Sequence, residues 1–184
     1  MGTDTLVQEF KGRKDHADYI KRGIAVENNF VQEAKHRDYN IWIASEEQNI
    51  REHIDLVLQK YGKTFSVDIK ARRTGNKSRT FDDTWIVVEF LNTMGDKGWL
   101  YGKADYIVFE REKDFVFCET KDLVNLAHTF VDQKTRVDSY RDAEYKVWGR
   151  SYQGKKDLIS RMEMSKILNL KNTFIWKKSV DISN

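Results

Sequence analysis

Apolar residues recur at spacings of three and four through the first part of the chain. Ala17, Ile20, Ile24, Val31 and Ala34 fall on one stripe, which predicts a helix from Asp15 to Arg37. Glu27 lies on that same stripe, where an apolar residue is expected. Gly23 weakens the helix locally and leaves room for another backbone to approach. The period then shortens to two. Strands are predicted at Ile41–Ser45, His53–Leu58 and Phe65–Ala71, the last two joined as a hairpin by YGK at residues 61–63. Trp85–Leu91 reads as a strand and GDKG at residues 95–98 as a turn. Ala104–Glu110 and Phe115–Thr120 form a second hairpin around REKD. Asp122 is placed to cap a helix to about Gln133, and Ala143–Gly149 reads as a strand. Leu158–Met164 fits a strand or a helix, and Ser165 is placed to cap a short helix through Leu170. The order predicts an α/β or α+β fold, a mixed central sheet with flanking helices and a β-rich C-terminal part. Residues 1–14 read as a loose arm and residues 15–184 as a single domain.

Composition changes this picture little. A hydrophobic content of 40% supports a folded core, and no apolar run is long enough to span a membrane. The N-terminus lacks a secretory apolar core, and Leu6 stands where a myristoylation signal has Ser or Thr. Cys118 is the single cysteine, so no intrachain disulfide forms, and a reducing, cytoplasmic setting is expected. Proline is absent, which leaves the turns to Gly and Asn. The net charge of +3 says less than its distribution. KARRTGNKSR at residues 70–79 holds five cations and no acid. Residues 146–178 hold nine Lys or Arg against Asp157 and Glu163. Such runs suit a polyanion or a solvated surface.

Charges inside the first hairpin carry more information. Side chains alternate along a strand, so Asp68 and Lys70 share one face with Ser66, and Phe65, Val67 and Ile69 take the other. Pairing in the right register brings Asp55 beside Asp68, and Glu27 adds a third carboxylate from the helix. Packed carboxylates repel, and a buried charge without a partner is costly. A divalent cation resolves both problems, since Mg²⁺ takes one or two carboxylates plus waters and a substrate phosphate. The lysine can then assist an attacking water or neutralise the pentacovalent phosphate.

RGIAVE (22–27), HIDLVL (53–58) and SVDIKARR (66–73) together resemble the PD-(D/E)XK nuclease superfamily, and within it the archaeal Holliday-junction resolvase branch. The resemblance covers residues 16–73. Ile54 replaces the proline of the family name. The resemblance implies a restriction-endonuclease-like fold and a Mg²⁺- or Mn²⁺-dependent endonuclease acting on DNA rather than RNA. It assigns Glu27 as the helix glutamate, Asp55 as the metal-binding aspartate, and Asp68 and Lys70 as the D-x-K pair, with Glu27, Asp55 and Asp68 holding or orienting the metal and its waters and Lys70 assisting the attack. A junction-resolving member is expected to be a homodimer. Residues 85–110 are similar to phage-encoded proteins with the same nuclease-like start.

A second copy of the pattern exists in Asp105 and Glu119-x-Lys121. The first set is favoured because a glutamate-bearing helix precedes it and the basic run leaves directly from Lys70. Arg72, Arg73, Lys77 and Arg79 are candidate phosphate contacts. Glu89 is a candidate ligand or a buried ion-pair partner. Trp85 is assigned to the core, whereas Trp99 and Tyr101 fit either a core or base stacking. His53 stands near Asp55, but His16, His36, His53 and His128 lack metal-ligand spacing. Cys118 reads as a small buried apolar residue. The competing readings are a nucleic-acid-binding protein that keeps a nuclease-like fold without turnover, and an interaction protein.

Overall fold

The computed structural model describes residues 17–72, 82–149, 151–152 and 155–179. The N-terminal arm and Arg73, Lys77 and Arg79 of the basic run lie outside the described residues. In chain order the elements are α1 (Ala17–His36), β1 (Asn40–Ile43), β2 (Leu56–Lys60), β3 (Lys63–Lys70), β4 (Trp85–Leu91), β5 (Tyr106–Glu110) and β6 (Asp114–Glu119). There follow α2 (Thr120–Phe130), β7 (Asp132–Arg136), β8 (Lys146–Val147), β9 (Ser151–Tyr152), β10 (Lys155–Lys156), β11 (Leu158–Glu163), α3 (Met164–Leu168) and β12 (Phe174–Lys177). A π-helical turn spans Gln48–Glu52, and 3₁₀ turns span Trp99–Tyr101 and Tyr140–Asp142. No described helix is long and apolar enough to cross a membrane.

The central sheet has six strands in the order β1-β2-β3-β5-β6-β12. Only β3 and β5 run parallel within it, so the sheet is mixed. Parallel neighbours require a long crossover. Here the crossover carries β4 and the 3₁₀ turn rather than a helix. The β2–β3 hairpin closes through Tyr61 and Gly62, both at positive φ (50° and 75°), as the two-residue turn matched to strand twist requires.

Two cores flank the sheet. On one face Val26, Phe30 and Ala34 of α1 pack on Leu56, Leu58, Val67, Ile69, Phe115 and Phe117. On the other, Ile107, Phe109, Val116 and Cys118 meet Leu123 and Ala127 of α2 and the β4–β11 ribbon. Burial pushes the Cys118 thiol up to about 12, as befits an inert core residue.

The structure departs from the periodicity in several places. β2 starts at Leu56, because the π-helical turn occupies the preceding residues and His53 ends it in the left-handed region. α2 starts at Thr120, not behind Asp122, and ends at Phe130, because Asp132–Arg136 joins β8 as a strand. Ala143–Gly149 shrinks to two strand residues. Leu158–Glu163 is a strand, and Ser165 lies inside α3 with its hydroxyl donating to Glu163 Oε2. β12 has no counterpart in the periodicity. It closes the sheet edge on β6 and stacks Trp176 on Phe30 with centroids 5.4 Å apart. Arg37 lies over the outer ring face at 5.1 Å. Trp176→Phe is expected to cost about 1–2 kcal/mol in urea unfolding with an unchanged m value.

Candidate active site

The register of the β2–β3 hairpin decides the site. Leu56 pairs with Val67, and the Asp55 N–H donates to the Val67 carbonyl at 2.8 Å. Asp55 therefore stands opposite Asp68, one residue beyond the last strand pair. Leu56, Val67 and Ile69 point into the α1 core, so both carboxylates project from the opposite face. Both are buried, at 8% and 3% exposure.

The donors around them are unequal. Asp55 Oδ1 accepts from Asn49 Nδ2 at 2.6 Å, and Oδ2 accepts from the Ile69 backbone N–H at 2.7 Å. Asp68 Oδ1 meets Lys70 Nζ at 2.8 Å. Asp68 Oδ2 is buried and accepts from no N–H or hydroxyl, and the Asp55 carboxyl lies within hydrogen-bonding reach of Asp68. Burial, then the Asp68 charge beside it, pushes the Asp55 carboxyl up to about 7. Asp68 is also raised, by burial above all, with Lys70 opposing and the Glu27 charge adding to the rise. Glu27 is half-buried on α1 and near enough for its charge to act on Asp68. The structure thus gathers the four residues Glu27, Asp55, Asp68 and Lys70 into one neighbourhood.

Lys70 reaches back over the Trp99 ring, its Nζ 4.7 Å from the centroid. The Trp99 turn is fixed from both ends. A Cβ on Gly98 would lie 2.3 Å from the Glu89 carbonyl oxygen, so only glycine admits that approach. A Cβ on Gly102 would lie 2.7 Å from His53 Cβ. Lys103 N donates to the Glu52 carbonyl at 2.7 Å, which fastens the π-helical turn carrying Asn49 to the same segment. Burial and the nearby Lys70 charge lower the His53 pKa, so the imidazole is neutral at pH 7.

Other candidate residues have defined surroundings. Asp105 Oδ2 accepts from Ser66 N at 2.7 Å and Ser66 Oγ at 2.8 Å, which clamps β3 to β5. Glu119 Oε2 meets the exposed Lys121 Nζ at 2.7 Å. This second set lacks a pair of buried, facing carboxylates. Glu89 Oε2 accepts from Trp99 N at 3.3 Å. Arg72 was proposed as a phosphate contact, but its guanidinium pairs with Asp83 and lies 3.7 Å from Glu112. Those acids hold it in the crossover and away from open solvent. Trp85 is only partly buried, beneath Arg161 at 4.7 Å. Trp99 is buried, and the Tyr101 hydroxyl bonds His128 Nε2 at 2.9 Å. Asn49 has no sequence signal, since it reaches Asp55 from a π-helical turn that periodicity does not reveal.

Among the described residues, no three His, Cys, Asp or Glu side chains converge closely enough to enclose a metal ion by themselves. A two-carboxylate site completed by waters fits better. Asp68 Oδ2 offers a buried oxygen without a donor, and Asp55 beside it is held against its own charge.

No family model matches the chain, and no curated protein matches it. Among solved structures it is similar to a bacterial homing endonuclease, I-Ssp6803I, at 15% identity and a TM-score of 0.43. The match covers 57% of this chain and 71% of that one.

Proposed function

We propose that the chain is a divalent-metal-dependent nuclease that hydrolyses phosphodiester bonds, with DNA as its substrate. The observation that carries this reading is the buried Asp55–Asp68 pair with an oxygen that lacks a donor and a lysine two residues on. Two facing buried carboxylates destabilise the fold unless a shared proton or a cation offsets their charge.

Asp55 and Asp68 would hold Mg²⁺ or Mn²⁺, with Glu27 orienting water from the α1 side. The ion supplies Lewis acidity toward a phosphoryl oxygen and makes water a better nucleophile at neutral pH. The remaining work falls to the chain. The Asn49 amide and the Ile69 N–H fix both Asp55 oxygens, which aims the carboxylate without a further conformational cost. Lys70 carries three donors and a fixed positive charge beside Asp68. It is placed to hydrogen-bond a non-bridging phosphate oxygen and to offset charge that builds during attack. Glu27, whose charge reaches Asp68, would accept a hydrogen bond from the attacking water. Neutral His53 adds no competing positive charge beside Lys70.

Cleavage of supercoiled plasmid and of a labelled four-way junction tests this, with Mg²⁺, Mn²⁺ or EDTA. Expected is metal-dependent cutting that Asp55→Asn abolishes and Glu119→Gln leaves within about threefold. Loss in Glu119→Gln alone would move the chemistry to Asp105, Glu119 and Lys121. Salt-sensitive DNA binding without cutting in any metal would favour the non-catalytic binding protein.

A further inference from the structure

Lysine has four rotatable side-chain bonds, and one contact with Asp68 does not fix the ammonium in space. Lys70 has a second contact on the far side. Its Nζ lies 2.8 Å from Asp68 Oδ1 and 4.7 Å from the Trp99 ring centroid. Trp99 is 8% exposed and packs edge-on against Phe109 with centroids 6.4 Å apart. Its backbone N–H is tied to Glu89, and Gly98 admits the close approach to the Glu89 carbonyl. The ring is therefore a rigid surface. It comes from the β3–β5 crossover, not from the strands that bear the carboxylates. An indole face attracts a cation, and the attraction grows where water is excluded. The ammonium thus meets a carboxylate on one side and an aromatic face on another.

We propose that Trp99 is a positioning residue for the nuclease reaction, holding the Lys70 ammonium at Asp68 so that its remaining donors face the substrate phosphate. The inference rests on the proposed function for its catalytic consequence. Its structural half, the clamp itself, is independent of turnover. Trp99 needs no contact with substrate or metal in this role. It acts through Lys70 alone, so it should set kcat and leave KM unaffected.

Trp99→Phe and Trp99→Leu separate the clamp from packing. Both shorten the side chain and both leave space beside Phe109, but only phenylalanine keeps a ring face. The first measurement is the ¹H–¹³C spectrum of ¹³C-lysine-labelled protein without metal. Lys70→Arg, which deletes its signal, assigns the Lys70 ε-methylene resonance. That resonance should be shifted upfield by the indole ring, partly shifted in Trp99→Phe, and at the ordinary lysine position in Trp99→Leu. The second is steady-state cleavage. Trp99→Leu should lower kcat by about 10- to 100-fold with KM within twofold, and Trp99→Phe by no more than about fivefold.

An ordinary Lys70 ε-methylene position in the wild type overturns the proposal. So does an equal loss of kcat in the two variants, which would mean packing alone. A shifted Lys70 signal in a wild type that cuts no nucleic acid would refute the proposed function and leave the clamp standing.

Discussion

Asp68→Asn is expected to raise stability and abolish cleavage together. Above pH 7 and without metal, the wild type holds two facing carboxylates out of water, one with an oxygen that no donor reaches. The amide removes the like charge. It can still accept from Lys70, and its NH₂ can donate to Asp55. The expected gain at pH 8 in EDTA is about 2 kcal/mol, or about 4–8 °C in Tm for a chain of this length. Cleavage should fall by about 10³-fold or more, because an amide is a poor ligand for a hard cation.

The pH dependence has a definite sign. The Asp55 carboxyl lies near 7 when folded against 3.8 unfolded, so the folded state holds a proton more tightly. That contribution is complete below about pH 4 and is lost as pH rises through about 7, with a ceiling of about 4 kcal/mol. Glu33 and Asp114 are held low, by Arg37 and Ser179 and by Arg111 and Lys177, against the opposing effect of burial. Their contributions run the other way and fade only under acid conditions. Between pH 5 and 8 the wild type in EDTA should therefore lose Tm relative to Asp68→Asn. Saturating Mg²⁺ should restore the wild type and leave the variant unmoved. A wild type whose stability difference from Asp68→Asn is flat over this range would contradict the paired-carboxylate description.

Lys70→Met is expected to do the opposite to stability and the same to activity. The ammonium is the positive charge that opposes the rise of both aspartates. Methionine keeps most of the stem on Trp99 and removes the charge. Breaking a fully buried pair costs about 3–5 kcal/mol. Lys70 is 25% exposed, so the expected loss at pH 8 in EDTA is nearer 2 kcal/mol. At pH 5 the loss should be smaller, because protonated Asp55 no longer adds its charge to the one that Lys70 offsets at Asp68. Mg²⁺ should recover part of it at pH 8 by taking the place of the missing charge. Cleavage should fall by about 10²- to 10⁴-fold, the range for a group that assists proton movement or offsets charge during attack. Urea titrations at the two pH values, with and without Mg²⁺, separate these effects. A loss equal at both pH values would mean that the stem, not the charge, matters.

The pairing of Asp55 with Asp68 was legible because it is local. A period of two, a short turn and a buried opposite face leave one register that keeps Leu56, Val67 and Ile69 inside. Glu27 was legible for a related reason, as a charge on an otherwise apolar helical stripe. Asn49 and Trp99 were not legible in their roles. Each reaches the site through an irregular turn whose position depends on close backbone approach at Gly98 and Gly102. Around Arg72, composition shows a cation and not the acids that meet it, which come from residues 83 and 112. FIWK was missed as a strand because four residues carry too little pattern, and its place on β6 is decided by Trp176 against Phe30.

That last contact has a consequence for how the chain matures on the ribosome. Phe30, Phe115 and Phe117 form one aromatic nest, and Trp176 is its lid. At about 5–20 residues per second, translation separates Phe30 from Trp176 by roughly 7–30 s. For the last roughly 3–12 s of that interval, once Phe117 has been made, the β6 edge has open backbone groups and its phenylalanines lack their cover. Until residue 177 is available, the nascent chain exposes an unpaired strand edge beside uncovered aromatic rings, the features that favour aggregation.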